Sequence, residues 1–186
     1  MDTELIERFI ISAGRAGARV VRCLDRVALV DYVAQHAGGA VILPRCATAC
    51  RLQLAAALRG RDCEVITEQF RAGAAQATAG VTGANFALAD TGTVVLDCTD
   101  EALRLASTLP QRHFVILDPR KILADGMAAV GPLRVLHRRQ SPDFIAFITG
   151  PSRTADIERV LTIGVDGPSE LHILLLEGIS EDPLES

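Results

Sequence analysis

Apolar and polar positions along this chain fall into blocks whose period switches repeatedly between helical and extended. Leu5, Ile6, Phe9 and Ile10 recur at helical spacing, so residues 3–11 predict a short amphipathic helix that Gly14 and Gly17 then weaken. Residues 25–35 predict a second helix, and Gly38-Gly39 leads into a short buried strand over 40–43, closed by Pro44. Residues 47–58 are rich in Ala and Leu, strong helix formers, with Gly60 placed where a C-terminal cap belongs. A strand over 63–67 and a helix over 68–79 follow. Residues 81–89 and 93–97 are extended in type, and Asp90-Thr91-Gly92 between them predicts a hairpin turn. Beyond it the pattern predicts a helix over 100–107, a strand over 113–117 and a helix starting after Pro119. A strand over 144–149, a helix over 154–161 and a last strand over 172–176 complete the series.

Strands alternating with helices predict an α/β layer architecture in a single domain, residues 1–186, with a mostly parallel sheet flanked by helices. Runs such as Val115-Ile116-Leu117 and Ile173-Leu174-Leu175-Leu176 suit strands covered on both faces. Residues 1–25 are expected to form a helical arm. Residues 178–186, polar and acidic, are expected to fray.

Composition narrows the function classes. Hydrophobic residues make up 49% of 186 positions, enough for a core without disulfides or a structural metal. With 19 basic and 23 acidic residues the net charge is −4, which argues against nucleic-acid binding. No run reaches the roughly 18 apolar residues of a membrane span, and the acidic start Met1-Asp2-Thr3-Glu4 is unlike a signal peptide, so a cytoplasmic location is expected. The five cysteines, Cys23, Cys46, Cys50, Cys63 and Cys98, are expected as reduced thiols that bind neither metal nor cluster. His36, His113, His137 and His172 lack metal-ligand spacing and form no catalytic set. A Walker loop and a Rossmann glycine fingerprint are missing, which argues against ATP and NAD.

Three loops carry candidate chemistry. Gly150-Pro151-Ser152-Arg153-Thr154-Ala155-Asp156 follows a strand and opens an expected helix, so free amides, the Ser152 and Thr154 hydroxyls and the Arg153 guanidinium would meet an anion at the strand's carboxyl end. Helix capping accounts for Ser152 and Asp156, but not for Gly-Pro before the cap and Arg within it. Gly83, Asn85, Thr91, Gly92 and Thr93 surround the second candidate, Asp90, which would serve as base, nucleophile or partner of Arg153, or else as a plain turn residue. The third is the loop of Gly164 and Gly167 around Asp166. Separately, Arg15, Arg19, Arg22 and Arg26 would make a basic stripe if their segment were helical, either a solvated face or a docking surface.

The string from Thr82 to Thr93, the segment Leu109-Pro110-Gln111-Arg112-His113, and Phe147-Ile148-Thr149-Gly150-Pro151-Ser152-Arg153-Thr154-Ala155-Asp156-Ile157-Glu158 together resemble the LUD-domain family, of the lactate-utilisation protein C type. The resemblance covers roughly the C-terminal half to two-thirds of the chain. Two departures stand out: Asp90 where the family often has Glu, and Asp166 where it often has His. The resemblance implies a fold similar to the phosphosugar-isomerase and CoA-transferase superfamily. It implies a cofactor-less subunit of a system that oxidises L-lactate to pyruvate, with two companion proteins carrying the iron–sulfur clusters. The expected ligand is a small carboxylate or phosphate, and homo-oligomerisation stays open. The rival readings are a stand-alone CoA- or sugar-phosphate-handling enzyme using Asp90, and a non-catalytic ligand-binding or interaction module.

Overall fold

The computed structural model describes residues 2–139, 143–154 and 162–186. The chain runs α1 (Thr3–Arg15), β1 (Arg19–Arg22), α2 (Arg26–His36), β2 (Val41–Ile42), α3 (Ala47–Arg51), α4 (Leu54–Arg59), β3 (Val65–Ile66) and α5 (Phe70–Ala74). Then follow β4 (Ala79–Gly83), β5 (Phe86–Leu88), β6 (Thr93–Asp97), α6 (Glu101–Thr108) and β7 (Arg112–Leu117). A 3-10 turn, Pro119–Lys121, leads to β8 (Ile122–Leu123), α7 (Gly126–Arg139) and β9 (Ile145–Ile148), and later to β10 (Arg153–Thr154), β11 (Thr162–Ile163) and β12 (Glu170–Leu175). Asp2, Asp25 and Asp100 cap α1, α2 and α6, each carboxylate accepting a first-turn amide that has no intrahelical partner.

Six strands form a parallel sheet in the order β1-β12-β7-β4-β2-β3. Successive side chains of a strand leave opposite faces. Accordingly Val41 packs in the cluster with Leu29, Val33 and Leu58, whereas Ile42 packs with Ala74 of α5 and Ala106 of α6. Helices therefore cover both faces, and central strands are buried along nearly their whole length. From β2 the chain moves outward to β3, but from β4 it returns toward β7. The carboxyl ends of β2 and β4 thus form the topological switch point, where open α/β sheets bind ligands.

A second sheet, β8-β5-β6-β9, stands beside the first. Its centre is the expected hairpin: β5 and β6 pair antiparallel around Asp90-Thr91-Gly92, with Gly92 at φ +69°. Phe86, Leu88 and Val95 pack against Ala129 and Leu136 of α7.

Several expectations change. The 81–89 segment divides after Gly83, and Ala84-Asn85 carry the chain between the sheets. The buried Asn85 supports this crossing, its Oδ1 accepting the Asp97 amide at 2.7 Å. The 47–58 helix breaks at Gln53, φ 47°, so that Thr48 and Ala49 pack near β4 while Leu54 and Leu58 face α2. The arginine stripe does not form. Arg15 ends α1, Arg19 and Arg22 flank the edge strand β1, and Arg26 begins α2. Val20 and Val21 decide this, because they pair with β12 and pack against the core. Residues 178–186, expected to fray, are tied down: the Ile179 amide donates to Asp118, and Lys121 and the Thr48 amide donate to the carbonyls of Glu185 and Ser186.

Candidate functional site

The amino end of β7 introduces a histidine into an otherwise apolar strand. His113 is fully buried, and its Nε2 lies 2.8 Å from the Thr82 hydroxyl on neighbouring β4. Its Nδ1 is buried and has no hydrogen-bond partner among the described residues. Burial holds its pKa down at about 3, so the ring is neutral at ordinary pH. A buried polar atom left unpaired costs about 1–3 kcal/mol, a penalty that a bound acceptor or donor would remove.

His113 borders a hollow of about 240 Å³. The turn Gly150-Pro151-Ser152 and the loop Asp166-Gly167-Pro168 form its walls, with Leu171 and the end of α6 closing it. Backbone pairing fastens the two walls together: the Ser152 amide donates to the Pro168 carbonyl at 2.9 Å, and the Gly164 amide donates to the Ser152 carbonyl at 3.0 Å. Segments far apart in the chain, around residues 113, 150 and 166, therefore meet at one small polar-and-apolar hollow. Sequence spacing overlooked His113 because no second histidine accompanies it. The available signal was an imidazole inside a run destined for the core, where a polar group must find a partner.

The Gly150 turn is built differently from expectation. Arg153 and Thr154 do not open a helix; they form β10 and pair antiparallel with Thr162 and Ile163. Asp156 and the rest of the expected 154–161 helix lie outside the described residues. The preceding strand, β9, belongs to the second sheet and is half-exposed, so the turn does not lie at the carboxyl end of a parallel strand. Instead the hollow borders the amino ends of β7 and β12, at His113 and Leu171. The Arg153 side chain is exposed, and its Nη2 donates to the carbonyl of Ala16 at 2.6 Å. It thus places positive charge at the negative end of α1.

The Asp90 turn and the Gly150 turn do come together, against the last turn of α1. Gly150 has φ +76°, and a Cβ there would stand 2.1 Å from the Ala16 carbonyl oxygen; a Cβ on Gly92 would stand 2.1 Å from the Ala13 nitrogen. Only glycine permits both the backbone angle and the approach. Between the turns runs a hydroxyl chain, Thr91 to Thr93 to Thr149, each step 2.7 Å. Asp90 sits exposed at the hairpin tip, its amide donating to the Ala124 carbonyl, and it does not line the hollow. Gly83 and Asn85 lie elsewhere, at the end of β4 and in the crossing between sheets.

Among the described residues no cluster of three or more His, Cys, Asp or Glu is arranged to hold a metal ion, and all five cysteines are free thiols. Burial raises the thiol pKa of Cys23 and Cys98 to about 11, which keeps them protonated. No helix among the described residues is long and apolar enough to cross a membrane.

Comparison with known proteins adds four observations. The chain is 38% identical over 109 residues to lactate utilization protein C of Halalkalibacterium halodurans, covering 56% of this chain and 46% of that protein. It is 32% identical over 148 residues to the protein of the same name from Anoxybacillus flavithermus, covering 77% and 66%. The aligned stretches thus span from just under half to two thirds of these relatives. In fold it is similar to the crystal structure of a DUF162 family protein from Deinococcus radiodurans, with a TM-score of 0.67 over 94% of this chain and 98% of that one at 21% identity. The LUD domain model matches residues 6–176, almost the whole sheet-bearing chain, and the protein therefore belongs to the LUD-domain family.

Proposed function

We propose that this chain works in lactate utilisation, binding a small 2-hydroxycarboxylate or the corresponding keto acid in the hollow over His113. The relatives named for lactate utilisation support the role. The observation that carries the site is the unpartnered Nδ1 of a fully buried, neutral histidine at the hollow's edge. If the Thr82 hydroxyl donates to Nε2, the ring carries its proton on Nδ1 and donates to a ligand carboxylate oxygen. The Ser152 hydroxyl is a second donor at the wall, and the Asp166 carboxylate at the rim accepts from a 2-hydroxyl. Arg153 follows Ser152 in the chain, but its guanidinium is held on the Ala16 carbonyl and does not line the hollow.

In this reading the chain binds and orients the acid. Oxidation of lactate to pyruvate releases two electrons and two protons, and the electrons pass to iron–sulfur companion proteins rather than to a cofactor of this chain.

Titrating L-lactate and pyruvate against protein labelled with 15N at histidine tests the site. Binding shifts the His113 ring nitrogens, and Ser152→Ala weakens it by roughly tenfold. Ring resonances that stay fixed at high concentrations of both acids, with and without the companion proteins, reject the assignment.

A further inference from the structure

The carboxyl end of the parallel sheet holds a second unassigned feature. Lys121 ends the turn after β7 and is only 3% exposed. Its Nζ donates to the carbonyl oxygen of Ala84 at 3.2 Å and to that of Glu185. Among the described residues no carboxylate lies within ion-pair distance of it. Burial pushes its pKa down, and Asp118, Glu185 and Asp182 partly restore it. Buried lysines are ordinarily paired directly; here the ammonium donates to two carbonyl oxygens while Asp118, Glu185 and Asp182 act on it from beyond ion-pair distance, so a closer anionic partner would complete the arrangement.

What covers Lys121 is the segment 179–186, at the carboxyl end of β4 and therefore at the switch point of the sheet. Polar contacts hold it there. The amides of Ile179 and Ser180 donate to Asp118 Oδ2 at 2.8 and 3.2 Å. Arg120 pairs with Glu181, and Arg51 pairs with the Glu185 carboxylate at 2.7 Å. Gly83 makes room: a Cβ there would stand 2.5 Å from the backbone carbonyl carbon of Ser186. Glu185 thus lays a carboxylate on Arg51 and a carbonyl oxygen on Lys121, as a small anion would.

We propose that Lys121 and Arg51 form an anion site at the carboxyl end of β4 for a small molecule bearing a carboxylate or phosphate, and that residues 179–186 are a strap whose Glu185 occupies it until the ligand displaces it. Two cations converge on one strap residue, at the place where this sheet topology collects ligands. The site is independent of the His113 hollow, which borders the amino ends of the strands.

Hydrogen exchange and isothermal titration on the full chain test this with inorganic phosphate and with acetate, against sodium chloride at matched ionic strength. Phosphate should speed exchange of the Ile179 and Ser180 amides, and acetate should do so too if carboxylates are also accepted. A strap-weakened double variant, Glu181→Gln with Glu185→Gln, should bind phosphate roughly tenfold tighter, because the binding-competent state is more populated. Adding Lys121→Met to it should weaken phosphate binding by roughly tenfold or more. Should Lys121→Met not fold, the exposed Arg51→Gln substitution gives the same comparison. Equal phosphate affinity in the wild-type and strap-weakened proteins overturns the proposal. So does a chloride effect equal to that of phosphate, or affinity indifferent to both cation substitutions. His113→Leu should leave the phosphate response unchanged, which separates this site from the hollow.

Discussion

Replacing His113 and Thr82 together offers a sharp test of whether the buried ring is kept for binding. In the double variant His113→Leu with Thr82→Val, the bond from Nε2 to the Thr82 hydroxyl disappears along with both of its partners, so nothing is left unpaired there. Removing both ends of a buried hydrogen bond is nearly neutral. The Nδ1 atom, which has no partner among the described residues, also disappears, along with its cost of about 1–3 kcal/mol. The free protein should therefore be as stable as wild type or more so, with a melting temperature raised by about 2–4 °C per kcal/mol in a domain of this size. Acidity gives a second readout. The folded pKa of about 3 lies below the ordinary 6.5, so the unfolded chain binds the extra proton between those values. This contribution to stability is complete above about pH 6.5 and is lost as pH falls toward 3, at roughly 1 kcal/mol per pH unit. The variant should lose that slope while lactate and pyruvate affinity falls at least roughly tenfold. Denaturant melts from pH 4 to 8, paired with ligand titration, measure all three quantities. A double variant less stable than wild type by about 3 kcal/mol at pH 7 would show that the ring is fully satisfied in the free protein, and the hollow would lose its argument.

Other outcomes follow from single contacts. Gly150→Ala should cost more than about 2 kcal/mol, combining a left-handed backbone angle with a Cβ driven into the Ala16 carbonyl, as chemical denaturation will show. Arg153→Ala removes one exposed contact at the end of α1 and should cost about 1 kcal/mol or less in a denaturant melt, with lactate and pyruvate affinity unchanged. Asp118 is fully buried; burial alone would raise its pKa, but Arg120 and the amides of Ile179 and Ser180 outweigh that and hold it below the ordinary carboxylate range. Its stabilisation is therefore present above that range and lost as pH falls through the lowered value. Asp118→Asn should release the strap at neutral pH, seen as faster exchange at Ile179 and Ser180 corrected for intrinsic rates.

The hydrophobic pattern placed most of the alternating helices and strands, the buried centre of the sheet and the hairpin at Asp90-Thr91-Gly92, because these depend on local periodicity and on glycine's backbone freedom; it missed β1 within the expected helical arm and β8 within the helix expected after Pro119. It also singled out the turn of Gly150 and Ser152 and the loop of Gly167 as candidate ligand-facing backbone. Periodicity does not say which sheet a strand joins. Residues 81–89 look uniformly extended, yet Gly83 ends one sheet and Phe86 begins another. Nor does it show where a long side chain is spent: Arg153 reads as a ligand clamp beside Ser152, but tertiary contact sets it on the carbonyl end of α1. His113 and Lys121 carry the two sites proposed for this chain, and neither has a sequence-local partner that would mark it. Their significance arises because folding strips water from one imidazole nitrogen and one ammonium, and brings chain from residues 150, 166 and 185 to face them. Desolvation is a property of the assembled layers, and no stretch of sequence carries it alone.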